Sequence, residues 1–186
     1  MEDGDKGYMI LIIQCCREKL HYFEFVKPIE DVLKKNEKLF ESVHYRCVNK
    51  KVVSKADKII ISGTSLKDNF FLQDLECFSW LKKFDKPVLG ICAGMHILGL
   101  LFNGSLKEKT EIGLNNVFFE KEFLGLKNTV ECYELHNFYV ESSEFEGFAR
   151  SKDCLQAVKH RYKPFYGVLF HPEVRNKELL EVFASL

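Results

Sequence analysis

The sequence lacks the features that mark several large classes of protein. Its 186 residues contain no apolar run near the roughly 20 residues that a membrane-spanning helix needs. Lysine and arginine total 27, and aspartate and glutamate also total 27, so charge does not indicate nucleic acid or a membrane surface as a partner. No Walker-type loop and no dinucleotide-binding glycine fingerprint is present. The sequence therefore predicts no nucleotide cofactor.

The seven cysteines show neither the pairing of a disulfide framework nor the spacing of a zinc site. Cys15 and Cys16 are adjacent and the others are scattered, so we expect reduced thiols, no resident metal and a cytoplasmic location. The acidic, polar residues 1–7 do not have the pattern of a signal peptide. The length and the 46% hydrophobic content suit one domain spanning residues 1–186.

The first chemical signal lies in the middle of the chain. A short apolar run ends in Gly90-Ile91-Cys92-Ala93-Gly94, and a second apolar run follows at helical spacing. This order predicts a strand, a sharp turn and a helix, which is a nucleophile elbow with cysteine at its centre. Side chains at positions 90 and 94 would collide with a neighbouring strand or helix, and the helix N-terminus favours a thiolate at Cys92. The alternative is a buried structural cysteine.

The second signal lies near the C-terminus, where the strand-like run 166–170 ends in His171-Pro172-Glu173. A cysteine nucleophile needs a base, and the base needs a carboxylate to orient it. His171 and Glu173 can supply both from the end of one strand, and Pro172 stiffens the backbone between them. The two motifs together predict a Cys-His-Glu catalytic triad.

These two motifs, in this order, resemble those of the class I glutamine amidotransferases of the triad type. The resemblance covers the chain from about Tyr8 to the C-terminus. Within the family, the segment 111–113 and the C-terminal half look most like the separately encoded glutaminase subunit of GMP synthase.

The pattern of strands and helices predicts an α/β fold with a mostly parallel central sheet and helices on both faces. After Leu101, short strand-like runs predict a small antiparallel β section. The resemblance implies a three-layer, flavodoxin-like arrangement. Strands are expected at 8–14, 40–48, 58–61 and 166–170, and a solvated turn over 50–58. Helices are expected over 25–33, from 71 to an end at 84–86 before Pro87, and over 178–186.

The resemblance also implies an oxyanion hole, formed by the backbone amides of Gly63, Thr64 and Ala93. In the family, glycine is commoner at the position of Thr64. A threonine there keeps the backbone amide but restricts the conformation of the turn. The alternative for this loop is a plain connection between a strand and a helix.

The remaining expected pocket residues come from two segments. His96 occupies the position of a family glutamine that helps to hold the substrate, and it either donates a hydrogen bond there or is a structural helix residue. His136, Asn137 and Phe138 match a segment that lines the glutamine pocket, although a strand end at the surface is the alternative. Leu169 replaces a common glutamine, which is a minor departure.

The predicted reaction is glutamine hydrolysis. The Cys92 thiolate attacks the side-chain carboxamide, His171 protonates the leaving ammonia, and a glutamyl thioester forms on Cys92. His171 then activates water, with Glu173 orienting its ring. The resemblance implies that ammonia passes to a separate ATP-dependent synthetase subunit, as in GMP synthase. The alternatives are a stand-alone hydrolase of γ-glutamyl compounds and a non-catalytic regulatory paralogue.

Overall fold

The computed structural model describes residues 8–186, which form a nine-stranded mixed sheet with helices packed against it. The strands are β1 Met9–Gln14, β2 Leu39–His44, β3 Lys58–Ile61, β4 Val88–Ile91, β5 Ser105–Phe123, β6 Leu126–Glu141, β7 Phe145–Arg150, β8 Leu155–His160 and β9 Phe165–Val168. The α-helices are α1 Tyr22–Phe25, α2 Lys27–Lys35, α3 Lys50–Lys55, α4 Ala93–Leu101 and α5 Lys177–Ser185. The strand order is β2-β1-β3-β4-β9-β8-β7-β5-β6.

The parallel part of the sheet consists of β2, β1, β3, β4 and β9. Its central strands read as continuous apolar runs because both faces are buried. Along β1, Ile10 and Ile12 belong to one core, and Leu11 and Ile13 belong to the other. Helices α1, α2 and α5 contribute to the first core, and α4 contributes to the second. Both cores therefore contain helical residues, and the α/β class of the fold is as expected.

The antiparallel part is larger than the sequence pattern indicates. Strands β5 and β6 pair from Ser105 opposite Glu141 to Phe123 opposite Leu126, and β7 and β8 connect this hairpin to β9. Four strand pairs among the described residues are parallel and four are antiparallel, so the sheet is mixed and not mostly parallel. Exposed polar residues interrupt the apolar residues of β5 and β6. In the sequence, each of these two long strands therefore looks like several short strands.

Three local expectations also change. The segment 50–58 does not form a solvated turn, because α3 begins there and the Asn49 side chain accepts hydrogen bonds from the amides of Lys51 and Val52. The expected helix from 71 to 84–86 consists of 3-10 turns, at Phe70–Leu72 and Leu75–Lys83. The expected strand 40–48 ends at His44, where another 3-10 turn begins.

The described helices include none that is long and apolar enough to span a membrane.

The junction between β4 and α4 is packed too closely for side chains at its two glycines. A Cβ atom on Gly94 would lie 2.4 Å from the carbonyl oxygen of Ile61 and 2.9 Å from its Cβ. A Cβ atom on Gly90 would lie 2.5 Å from the carbonyl group of Gly94. This confirms the expected need for small residues, and the contacts bring the first turn of α4 against β3.

We expect Gly94→Ala to destabilise the protein by about 3 kcal/mol, because the methyl group meets backbone atoms that cannot move independently of β3. Urea unfolding followed by circular dichroism measures this loss. Gly147→Ala is the matched control, since its Cβ would meet at 2.7 Å only the end of the flexible Leu155 side chain. Equal losses for the two variants would show that backbone packing at the junction is not the constraint.

Candidate active site

Cys92 lies at the turn between β4 and α4 in a strained backbone conformation. Its φ angle is 47° and its ψ angle is −100°, a region of backbone conformation that residues other than glycine rarely occupy. The Cys92 amide donates to the carbonyl of Val168 at 2.8 Å, and its carbonyl accepts from the amide of His96 at 3.0 Å. The Sγ atom lies 3.6 Å from the carbonyl oxygen of Leu135, so β6 passes directly beside the thiol.

His171 and Glu173 follow β9 and form a fully buried pair. The Nδ1 atom of His171 lies 2.7 Å from Oε1 of Glu173, and neither side chain is exposed. The His171 amide donates to the carbonyl of Tyr133 at 2.8 Å, and the Phe25 ring lies 5.4 Å from the imidazole. The expected base and its carboxylate are thus hydrogen-bonded and enclosed by apolar and backbone groups.

The side chains of His171 and Cys92 meet beside Gly63. A Cβ atom on Gly63 would lie 2.6 Å from Cε1 of His171 and 3.5 Å from Cβ of Cys92. Burial opposes a charge on His171, but the Glu173 carboxylate and the neighbouring Cys92 outweigh it and raise the pKa of His171 well above its ordinary value. Glu173 engages Nδ1, and Nε2 is buried without a hydrogen-bond partner among the described residues. Nε2 is therefore the nitrogen left for proton transfer.

A narrow cleft adjoins Cys92. Its volume is about 20 Å³, which is room for about one water molecule. Six residues expected from the sequence line it together with Cys92. They are Thr64, Ala93, His96, His136, Asn137 and Phe138. Gly63 lies behind the side chains of Cys92 and His171.

Two backbone segments, at Thr64 and Ala93, line the cleft beside Cys92. Ala93 is the first residue of α4, so its amide has no acceptor within the helix. The buried Thr64 side chain donates to Oδ2 of Asp68 at 3.0 Å, and the same oxygen accepts from the Arg17 amide at 2.7 Å. Asp68 thereby ties this loop to the segment after β1, and the Thr64 hydroxyl, which a glycine would lack, helps to hold the Asp68 carboxylate.

His96 combines the two interpretations that the sequence leaves open. It lines the cleft, and its Nε2 lies 3.0 Å from the carbonyl oxygen of Phe138. A carbonyl only accepts, so Nε2 carries the proton. Burial lowers the pKa of His96 to about 4, and the residue is therefore neutral at physiological pH.

The two polar cleft residues on β6, Asn137 and His136, are held in place by neighbouring groups. Asn137 donates to the carbonyl of Leu66 at 3.3 Å and accepts from Thr110 at 3.0 Å, which joins the cleft loop to the hairpin. The Nδ1 atom of His136 lies 3.2 Å from the carbonyl oxygen of Lys109. Its Nε2 lies 3.2 Å from a carboxylate oxygen of Glu111, a contact that the sequence does not indicate.

A larger cavity of about 560 Å³ lies next to the cleft on the side of His171. Phe25 and Tyr133 border both this cavity and the His171 ring. Ser65, Leu66 and Leu135 line the cavity and the cleft alike. No sequence motif marks these residues, because they contribute through position and backbone groups.

The chain matches the profile of the family described as glutamine amidotransferase class-I over residues 8–183. One glutamine-hydrolyzing GMP synthase subunit, from Pyrococcus abyssi, is 36% identical over 116 residues, which are 56% of this chain and 62% of that protein. The corresponding protein from Methanosarcina barkeri is 32% identical over 142 residues, which are 70% of this chain and 73% of that protein. The alignment with the Pyrococcus protein thus spans less than two thirds of its length.

Solved structures show the same fold. A candidate GMP synthase subunit from Thermoplasma acidophilum has a TM-score of 0.85 at 21% identity, covering 96% of this chain and 93% of that chain. A glutamine amidotransferase from Thermotoga maritima has a TM-score of 0.70 at 18% identity, covering 96% and 83% of the two chains. Since the family profile extends over nearly all the described residues, the chain belongs to the class-I glutamine amidotransferase family.

Proposed function

We propose that this chain is a glutaminase subunit that hydrolyses glutamine through Cys92, His171 and Glu173 and supplies ammonia to a separate synthetase. The observation that carries the proposal is the buried His171–Glu173 pair directly beside a cysteine on a strained elbow. We further propose a single domain with a three-layer, flavodoxin-like scaffold, supported by two cores that include helices in contact with the sheet.

In the proposed reaction, the Cys92 thiolate attacks the carboxamide carbon of glutamine. The amides of Ala93 and Thr64 hold the oxyanion, and each such donor is worth on the order of 10²–10³ in rate. His171 gives the Nε2 proton to the departing amide nitrogen as the carbon–nitrogen bond breaks, which releases ammonia and leaves a γ-glutamyl thioester. His171 then takes a proton from water, and attack by this water releases glutamate and restores the thiolate.

The small volume of the cleft bears on how the enzyme is regulated. About 20 Å³ does not admit a glutamine side chain, and the Asn137 bond to the Leu66 carbonyl holds the loop closed against β6. We propose that this loop moves when the substrate enters. We propose that docking of the ATP-dependent synthetase subunit, that of GMP synthase by similarity, displaces the loop, so that the isolated chain has low activity.

The site chemistry fits a reducing compartment. All seven cysteines are free, and five of them are buried. We therefore propose that the chain acts in the cytoplasm, where Cys92 stays reduced. The proposed partners are glutamine and the synthetase subunit, with no role for nucleic acid or a membrane.

The first test is covalent labelling with 6-diazo-5-oxo-norleucine, an electrophile that mimics glutamine. Intact-mass and peptide mass spectrometry should show one adduct on Cys92, formed at least about tenfold more slowly when excess glutamine is present. Cys92→Ala is the control and should acquire none.

If generic alkylation of Cys92 succeeds while the glutamine mimic fails, both with and without the synthetase subunit of GMP synthase, the proposal of a glutamine site is wrong. Hydrolysis of γ-glutamyl amides without any partner would instead identify a stand-alone γ-glutamyl hydrolase.

A second test addresses the charge of the His171–Glu173 pair. The carboxylate raises the pKa of His171, so Glu173→Gln should lower that pKa and leave less imidazolium beside Cys92. The rate of Cys92 alkylation by iodoacetamide should then need a higher pH to reach half its maximum, and glutaminase turnover should fall at least about tenfold. Glu122→Gln, at an exposed carboxylate, is the matched control. An unshifted alkylation profile in Glu173→Gln would remove Glu173 from its proposed role.

A third test uses the burial of neutral His96. Its pKa is about 4 in the folded protein and about 6.5 when unfolded, so between these values the unfolded chain binds more protons. Stability should therefore fall as pH drops from about 6.5 to about 4, by up to about 3 kcal/mol from this group.

His96→Gln keeps a donor for the Phe138 carbonyl but cannot titrate, so urea unfolding at pH 7 and pH 5 should show a smaller difference than in the unmodified chain. His21→Gln is the control, because it changes a histidine on another segment. If His96→Gln retains the full pH dependence, the acid sensitivity arises elsewhere.

A further inference from the structure

A second group of reactive side chains lies outside the proposed triad, where β5, β6 and the segment before β8 meet. The Oε2 atom of Glu111 lies 3.0 Å from Sγ of Cys154 and 3.2 Å from Nε2 of His136. All three ligand atoms lie within 4.8 Å of one another. An oxygen of Glu134 lies 3.7 Å from the same His136 nitrogen. We call these four residues the β5–β6 cluster.

The β5–β6 cluster is buried and contains unsatisfied polar atoms. The side chains of His136 and Glu134 are fully buried, and that of Glu111 is 10% exposed. Nε2 of His136 and Oε1 of Glu134 have no hydrogen-bond partner among the described residues. Leaving such atoms unpaired in a protein interior costs free energy, so the unpaired Nε2 of His136, which lies close to Glu111 and Cys154, indicates a ligand.

The orientation of His136 favours a metal ion as that ligand. Its Nδ1 faces the carbonyl oxygen of Lys109, which can only accept a hydrogen bond, so the proton of the neutral ring sits on Nδ1. Nε2 then presents a lone pair toward Glu111 and Cys154. A backbone carbonyl that fixes the tautomer in this way is the usual support of a metal-ligating histidine.

We propose that Glu111, His136 and Cys154 bind a divalent ion of the zinc class, with the fourth position left for water or, after a movement of its side chain, Glu134. A thiolate, an imidazole and carboxylates are the donors that select zinc over magnesium or calcium. Bonds of about 2.0–2.3 Å in a tetrahedron place neighbouring ligands about 3.3–3.8 Å apart. The separations of 3.0 and 3.2 Å from the Glu111 oxygen require shifts of only a few tenths of an ångström, and Nε2 of His136 and Sγ of Cys154 lie within 4.8 Å of each other.

A route for the ion is present. A surface cavity of about 480 Å³ reaches Glu111 and is bordered by Asn115, Ser151 and Asp153. Ser151 and Gln156 both donate to the Glu111 oxygen, at 3.1 and 2.7 Å, and can keep the carboxylate oriented. The ion would fix β6 one residue from Leu135, whose carbonyl contacts Cys92.

Cobalt(II) binding to the full-length Cys92→Ala chain tests the proposal, since this variant removes the other thiol that lies beside a histidine. We expect a thiolate-to-cobalt charge-transfer band that saturates at equimolar cobalt and disappears when Zn²⁺ is added. Adding Cys154→Ser should abolish the band, whereas Cys132→Ser, which changes a different buried cysteine, one that lies on β6, should leave it unchanged.

Glu111→Gln preserves the shape of the cluster and should weaken cobalt binding at least about tenfold. It serves as the second variant if Cys154→Ser fails to fold, as judged by near-ultraviolet circular dichroism. Absence of the band in Cys92→Ala, or its persistence in folded Cys154→Ser or at unchanged affinity in Glu111→Gln, would overturn the proposal.

Discussion

The organisation of the site depends on the left-handed backbone of Cys92. A non-glycine residue in that region costs on the order of 1–3 kcal/mol, and the surrounding structure must hold it there. Two backbone hydrogen bonds do so, one from Cys92 to Val168 on β9 and one from His96 to Cys92 within α4. The residue that carries the thiol therefore also links the central strands to the helix. Because β9 continues directly into His171, the same constraint positions the base.

The His171–Glu173 pair is the second feature that stabilises the arrangement. Two fully buried charges lose their hydration, and only a close, hydrogen-bonded geometry compensates. The rings of Phe25 and Tyr133 keep water away from the imidazole. In this low-dielectric setting the carboxylate acts strongly on its neighbour, which accounts for the raised pKa of His171 despite complete burial. The pair thus keeps a proton on His171, directly beside Cys92.

The sequence predicts those parts of the site whose signals are local. The elbow and the His171-Pro172-Glu173 motif each occupy a few consecutive residues. The elbow is recognisable by its small residues, and the second motif by its place at the end of a strand. Strands β5 and β6 are harder to recognise, because each exposes polar residues at alternating positions and no single window shows their length. The β5–β6 cluster escapes sequence reasoning for a related reason. Glu111 and His136 become neighbours only through the antiparallel register that pairs them directly.

Strand β6 connects the two parts of the molecule that carry chemistry. It contributes backbone carbonyls to the cleft, with Leu135 beside Cys92 and Phe138 accepting from His96. Between these two residues, His136 directs its nitrogens toward Lys109 and Glu111. A shift of β6 along β5 would therefore change the distance from the thiol to its neighbouring carbonyl and break the His96 bond at the same time. Since the contributions of Leu135 and Phe138 come from the backbone, the β5–β6 register itself determines the geometry of the cleft.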